Sequence, residues 1–236
     1  MKVGNENLDI NYVSTNDTVL IPNESIAISN NKLEKIIKRI IDIVGGLIGT
    51  IMLIPLTIII YIANLIVKDK GPLFYTQKRV GKNGKVFMMY KYRSMVVDAD
   101  RKLNKYLREN KEAKKEYKKY KKLKNDPRIT KVGEFIRKTS IDEFPQFINV
   151  LKGDMSLVGP RPYLRREKKD MGDRYKIITS VKPGITGYWQ VNGRSQTDFD
   201  ERTSMDVAYV RDQSLWFDIK LIIKTVLNIL KKEGAL

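Results

Sequence analysis

Apolar positions are almost continuous from Ile36 to Val67. The segment opens Ile-Ile-Lys-Arg-Ile-Ile-Asp and then runs from Ile43 to Val67, 25 residues, without a charge. That length predicts a helix able to cross a bilayer. Pro55 sits at its middle, where it deletes a helix hydrogen bond and favours a kink. Basic residues flank both ends, Lys32, Lys35, Lys38 and Arg39 before it and Lys68 and Lys70 after it. A straight span has one strongly basic side, so two basic flanks suit a hairpin bent near Ile54-Pro55 with both ends cytoplasmic. The pattern alone leaves the re-entrant form, a span and a buried helix of a soluble protein all open.

The pattern changes on either side. Residues 1–32 are polar and rich in Asn and Ser, which predicts a disordered tail without the basic-then-apolar order of a signal peptide. After Gly71-Pro72, the runs LFYTQKRV and KVFMMYKYRSM flank Asn83-Gly84 and predict a β-hairpin. Residues 98–124 read as one long basic helix with Leu103, Tyr106, Leu107, Tyr117, Tyr120 and Leu123 on a broad face. Its lysines suit either water or an anionic lipid surface. A further helix is predicted through VGEFIRK. The terminal FDIKLIIKTVLNILKK is strongly amphipathic and fits either the core or a membrane surface.

Lys and Arg exceed Asp and Glu by 18, which predicts attraction to polyanions. Between Arg101 and Lys124 stand twelve of these cations against three Glu. The chain has no Cys and no His, so zinc sites, thiol nucleophiles, histidine bases and disulfides are excluded. Any chemistry falls to carboxylates, Lys, Tyr, Ser or Thr, and any metal to oxygen ligands. Mg²⁺ is then the favoured ion where phosphate is handled.

Asp142-Glu143 is the leading candidate pair. Ser140-Ile-Asp-Glu143 fits a capping box, and the same helix start suits phosphate, Mg²⁺ held by both carboxylates, or attack by a carboxylate on phosphorus. Gly159-Pro-Arg-Pro162 would hold the Arg161 guanidinium in a rigid turn suited to phosphate. Lys91, Arg93 and Arg137 add cations near the hairpin and the acidic pair. The loop from Lys182 to Ser195, with Gly184, Gly187, Gly193, Tyr188 and Trp189, could close over a base or sugar or be irregular packing.

QKRVGKNGKVFMMYKYRSM, DPRITKVGEFIRKTSIDEFPQFINVLKGDMSLVGPRP and KPGITGYWQVNGRS follow one another after the proline-broken apolar segment. Together they resemble the bacterial sugar transferases, monotopic phosphoglycosyl transferases, over residues 33–236. The resemblance implies an α+β, mainly helical fold with a proline-broken re-entrant membrane helix at 33–70 and a cytoplasmic catalytic domain at 71–236. That domain would carry a small β-hairpin and interfacial amphipathic helices. It implies transfer of a sugar 1-phosphate from a UDP-sugar to undecaprenyl (polyprenyl) phosphate at the cytoplasmic face of the membrane, with release of UMP. Asp142 matches the nucleophile and Glu143 its partner acid; Mg²⁺, or Mn²⁺ in its place, is the implied cofactor. Arg161 falls on the phosphate-contacting arginine, Arg137 on a basic residue near the pair, and Pro55 on the bend, preceded here by Ile54 rather than the frequent Ser. The YWQ segment resembles members using galactose or glucose phosphates. The expected form is a compact catalytic core, on anionic lipid, with a homodimer allowed. A nucleic-acid-binding membrane protein would leave the Asp-Glu and Gly-Pro-Arg-Pro segments unexplained; a non-catalytic scaffold of polysaccharide assembly is the second alternative, and release of UMP from UDP-sugars separates both from the enzyme.

Overall fold

The structure, a computed structural model, describes residues 32–193 and 197–231. The tail expected over residues 1–32 therefore lies outside the described residues apart from Lys32. The first element, α1 (Lys32–Ile66), is 35 residues long and carries Pro55 inside it. Among the described residues it is the one helix long and apolar enough to cross a membrane.

Next comes the expected hairpin, β1 (Phe74–Val80) with β2 (Val86–Tyr92), paired antiparallel from Phe74 opposite Tyr92 to Val80 opposite Val86. Asn83 (φ 57°) and Gly84 (φ 77°) take left-handed conformations in the turn, which explains the residue types found there. The single basic helix expected over 98–124 is instead two, α2 (Ala99–Glu109) and α3 (Lys111–Tyr120). Asn110 separates them with extended backbone (φ −126°, ψ 103°), and its side chain accepts from the Ala113 N–H to start α3. Folding α2 on α3 buries Leu103, Ala113 and Leu123, with Tyr106, Leu107 and Tyr117 packed around them. The apolar face read from the sequence is thus satisfied within the pair.

The VGEFIRK helix is α4 (Lys131–Lys138), capped by Thr130. It is followed by α5 (Gln146–Lys152) and by a two-strand parallel pair that the sequence reading missed, β3 (Ser156–Val158) and β4 (Gly184–Thr186). Three-residue strands carry too little alternation to register as a pattern. Between them lie α6 (Lys168–Met171) and α7 (Arg174–Ile178); beyond them come α8 (Tyr188–Asn192), α9 (Phe199–Asp212) and α10 (Leu215–Leu230). One core gathers Val158, Val181, Val191, Tyr209, Val210 and Leu221. A second joins Leu53 and Ile60 of α1 to Tyr92, Val132 and Ile136.

Along α1 the buried residues are Asp42, Gly46, Gly49, Leu53, Ile60 and Asn64, one stripe at helical spacing. Gly49 is required by close approach, since a Cβ there would lie 2.2 Å from the Phe147 ring. Polar contacts hold both ends of the stripe to the same domain. Lys38 donates to the Val158 carbonyl and pairs with Asp218, and Arg39 donates to the carbonyls of Val150 (2.8 Å) and Leu151 (2.9 Å). Asp42 accepts from the Ser156 hydroxyl at 2.9 Å and the Leu157 N–H at 2.8 Å. At the far end Thr57 and Tyr92 share a 2.7 Å hydroxyl contact, and Asp69 meets Arg93 at 2.8 Å. The other faces of α1 expose Ile48, Ile51, Ile58 and Leu65 among others, and α10 exposes Trp216, Ile223, Val226 and Leu230 while burying Leu221.

Candidate active site

Asp142 and Glu143 lie on a single 3-10 turn, Ile141–Glu143, ahead of α5. The capping box expected from Ser140 does not form. Ser140 is left-handed (φ 57°) with no side-chain cap bond, and only its carbonyl accepts, from the Glu143 N–H at 3.2 Å. Ile141 and Phe144, on either side of the pair, pack into the core shared with Leu53 and Ile60 of α1. The apolar helix and the turn therefore share one core.

β2 brings Lys91 to the pair. Asn149, fully buried on α5, accepts from the Tyr90 N–H at 3.0 Å and donates to the Met88 carbonyl at 2.8 Å, which fixes strand and turn relative to one another. Lys91 Nζ then sits 2.7 Å from Glu143 Oε1 and 3.9 Å from Asp142 Oδ2. Asp142 is 8% exposed, and that burial pushes its carboxyl up to about 6, with Glu143 adding to the rise and Lys91 and Arg137 opposing it. For Glu143 burial also pulls upward, but Lys91, Arg161 and Arg79 outweigh it and hold the carboxyl low. Two adjacent acids are thus driven apart.

Arg137, in the last turn of α4, acts on Asp142 electrostatically, and its Nη1 is buried with no hydrogen-bond partner among the described residues. Arg161 acts likewise on Glu143. Its turn is held from three sides. The Val80 N–H donates to the Tyr163 carbonyl, Arg79 Nη1 donates to the Pro162 carbonyl at 2.9 Å, and Asp206 accepts from the Arg161 N–H at 3.2 Å and the Tyr163 hydroxyl at 2.8 Å. Arg93 is not brought to the pair. Its guanidinium is taken by the carbonyls of Pro72 and Met95 and by Asp69, so it secures the exit of α1.

The sequence reading passed over Arg79, Asn149, Lys122, Arg202 and Asp206. For α9 a signal existed: Arg202 and Asp206 stand in the buried stripe of Phe199, Thr203, Tyr209 and Val210, and charges in a core stripe need a reason. Arg79 is buried, and its guanidinium is lowered to about 10 by that burial and by Arg161 beside it. From the Lys182–Ser195 loop, Trp189 lies 5.7 Å from the Arg161 guanidinium, measured to the ring centre. Residues 194 and 195 of that loop fall outside the described residues.

Two carboxylates set among more cations than they can neutralise leave an excess of positive charge at this turn, on a domain fastened along a long apolar helix. The description "bacterial sugar transferase" matches residues 33–232, and the chain belongs to that family. It is 42% identical over 232 residues to an undecaprenyl-phosphate galactose phosphotransferase of Salmonella typhimurium, covering 97% of this chain and 47% of that protein. It is 39% identical over 213 residues to a UDP-glucose:undecaprenyl-phosphate glucose-1-phosphate transferase of Escherichia coli, covering 86% and 42%. Against the exopolysaccharide production protein ExoY of Sinorhizobium fredii it is 34% identical over 222 residues, covering 94% and 97%. The chain spans about half the length of the first two and nearly all of the third.

Proposed function

We propose that the chain is a phosphoglycosyl transferase moving a sugar 1-phosphate from a UDP-sugar to undecaprenyl or another polyprenyl phosphate, releasing UMP. The step would begin exopolysaccharide, capsule or O-antigen synthesis. The observation that carries this reading is Asp142, a buried carboxylate raised to about 6 that Lys91 and Arg137 act on, beside a Glu143 that the Arg79–Arg161 pair acts on. At neutral pH it is mostly ionised, and its raised basicity suits a nucleophile. An Asp142 oxygen forms a bond to the sugar-side phosphorus of the donor, and the bridging oxygen leaves with its electron pair as UMP. An oxygen of the polyprenyl phosphate then attacks the same phosphorus, and the Asp142 carboxylate departs with its pair. Glu143, held ionised by Lys91, stays beside the reacting group, and the arginines balance charge on the diphosphate.

Mg²⁺, or Mn²⁺ in its place, fits Asp142 and Glu143 as oxygen donors. Among the described residues no three or more His, Cys, Asp or Glu side chains gather as a metal cage, so the ion would be shared with donor phosphate oxygens. When bound it neutralises diphosphate charge.

The re-entrant reading of α1 is part of this proposal. A straight helix from Asp42 to Asn64 would measure roughly 33 Å, about the thickness of the hydrocarbon layer. Yet Asp42 and Asn64 both lie buried, and Lys38, Arg39 and Asp69 at the ends all contact one domain. That arrangement favours both ends on one side, with Ile48, Ile51, Ile58 and the outer face of α10 in lipid and the Asp142 turn at headgroup depth. The lysines of α2 and α3 would meet anionic headgroups. Cytoplasmic placement follows from the donor, which is made there, and galactose or glucose is favoured as the sugar by the names of the relatives.

Purified membranes containing the protein should release UMP from UDP-galactose or UDP-glucose when polyprenyl phosphate is supplied. Asp142→Asn should abolish release and the sugar-phosphate adduct on the chain. An adduct formed at the normal rate by that variant, or no UMP from any UDP-sugar, overturns the proposal.

A further inference from the structure

The cations extend beyond the pair in one direction. Arg202 of α9 is 6% exposed, and its guanidinium lies 5.2 Å from the centre of the Trp189 ring, the same ring that Arg161 approaches at 5.7 Å. Two guanidiniums on one indole bring like charges together, a costly arrangement unless an anion joins them. Among the described residues no carboxylate forms an ion pair with either, though Asp198 and Glu167 act on Arg202 from a distance and Glu143 on Arg161. Among the same residues Arg202 donates to the Thr197 carbonyl alone, at 2.9 and 3.2 Å, and the Arg161 guanidinium makes no hydrogen bond. Asp206 is near both, but its Oδ2 is spent on the Arg161 N–H and the Tyr163 hydroxyl. Trp189 is itself 8% exposed, and its indole N–H is buried with no acceptor among the described residues.

Lys122 completes the group. It follows the left-handed Lys121 (φ 54°) that ends α3, and Lys121 is tied down by Asp170 at 2.9 Å. The Lys122 ammonium is half-buried and lowered to about 8 by burial, then by Arg202, Arg161 and Arg137. Two guanidiniums at one indole whose buried donor has no acceptor among the described residues, with a lysine in electrostatic reach, mark a place for an anion.

We propose that Arg202 and the Trp189 indole N–H form a second phosphate subsite, continuous with Arg161 and with Lys122 as a further cation in reach of it, that holds the nucleotide-side phosphate of the donor. This rests on the reaction proposed above. The sugar-side phosphate faces Asp142, and the phosphate leaving as nucleoside monophosphate lies away from it, over Arg161 and towards Arg202. The leaving oxygen gains negative charge as the bridging bond breaks. A fixed cation group there favours departure over return. It also gives the released monophosphate an affinity of its own.

Two measurements test this. In a Trp216→Phe background Trp189 is the sole tryptophan, and titration with UMP should quench or shift its fluorescence. Lys122→Gln should weaken that binding by about tenfold, the loss of one charge-assisted hydrogen bond. In turnover the same change should raise the UDP-sugar KM and the UMP inhibition constant together and leave the polyprenyl phosphate KM within about twofold. Arg202→Lys, which keeps a charge, should fall between wild type and Lys122→Gln provided its circular dichroism is native. An unaltered Trp189 signal at saturating UMP overturns the subsite, as does a rise in the polyprenyl phosphate KM alone, which would give these cations to the lipid phosphate. Because the fluorescence needs no turnover, a protein that bound UMP but released none would defeat the transferase reading and leave the subsite standing.

Discussion

Lys91 Nζ stands 2.7 Å from Glu143 Oε1 but 3.9 Å from Asp142 Oδ2, so one ammonium serves two adjacent carboxylates unequally. Glu143 is held ionised, while the buried Asp142 is left near 6. Because attack needs the carboxylate form, kcat/KM of the free enzyme should rise with pH through about 6 and then level. Lys91→Gln removes the largest opposing charge, so Asp142 rises further. The acid limb should move up by about one pH unit and activity at pH 7 should fall about tenfold. A limb that stays in place while the rate drops would make Lys91 a substrate contact alone.

Two carboxylates without a third acid make a poor metal cage. Calorimetry with Mg²⁺ alone is expected to show weak binding or none, and affinity should appear when the UDP-sugar is present. Exhaustive chelation should stop UMP release, and added Mg²⁺ or Mn²⁺ should restore it. Full activity in chelated protein with no metal by elemental analysis would remove the ion from the scheme.

Asp206 is fully buried, with Oδ1 unpartnered, and burial pushes it up to about 7 from 3.8. The sign follows from a raised folded-state value. Between about pH 4 and 7 the folded state keeps a proton that the unfolded chain has released, so this group's contribution to stability declines as pH rises through that window. Asp206→Asn should flatten the decline. In detergent the variant should lose most relative to wild type near pH 5 and least near pH 8, a swing on the order of 2–4 kcal/mol. Parallel melting curves across that range would show that Asp206 does not titrate there.

Local pattern reached some of this and not the rest. The apolar run, the Asn-Gly hairpin and the helix over Lys131–Lys138 were legible because each is written within a few consecutive residues. The break at Asn110 was also written locally, as a cap residue in a run of good helix formers, but the charge pattern continued through it and hid it. Asp142, Glu143 and Arg161 became candidates through the motif around them, and the structure sets Arg161 in electrostatic reach of Glu143. Arg79 and Lys122 were not, since a lone cation in a strand or after a helix reads as surface; Arg202 was passed over although its place in the stripe of α9 marked it. Only tertiary packing turns them inward. Arg93 shows the opposite error, a cation in a matched motif whose partners are Pro72, Met95 and Asp69.

The disposition of α1 gives the last expectation. Asp42 is buried at 4% exposure and receives two hydrogen bonds from the β3 edge, the Ser156 hydroxyl and the Leu157 N–H, while Asp69 holds the other end through Arg93. If α1 re-enters, both polar clasps lie on the cytoplasmic side. Single Cys residues placed at Asn30 and Lys124 of this Cys-free chain should then resist a membrane-impermeant thiol reagent in intact cells and react once the membrane is opened. Labelling of position 30 alone in intact cells would establish a span. Asp42→Ala leaves the Ser156 and Leu157 donors without their acceptor, a loss of about 2–3 kcal/mol, and frees the first half of the helix. Pro55→Leu restores the missing helix donor and favours a straight rod. Neither change alone overcomes the basic cluster Lys32, Lys35, Lys38 and Arg39, which resists translocation. The double variant should therefore expose position 30 in a larger fraction of molecules than either single one. Activity should fall in step with that fraction, because Leu53 and Ile60 belong to the core that Ile141 and Phe144, on either side of Asp142, pack against. Loss of activity with position 30 still protected would separate the packing role of α1 from its topology.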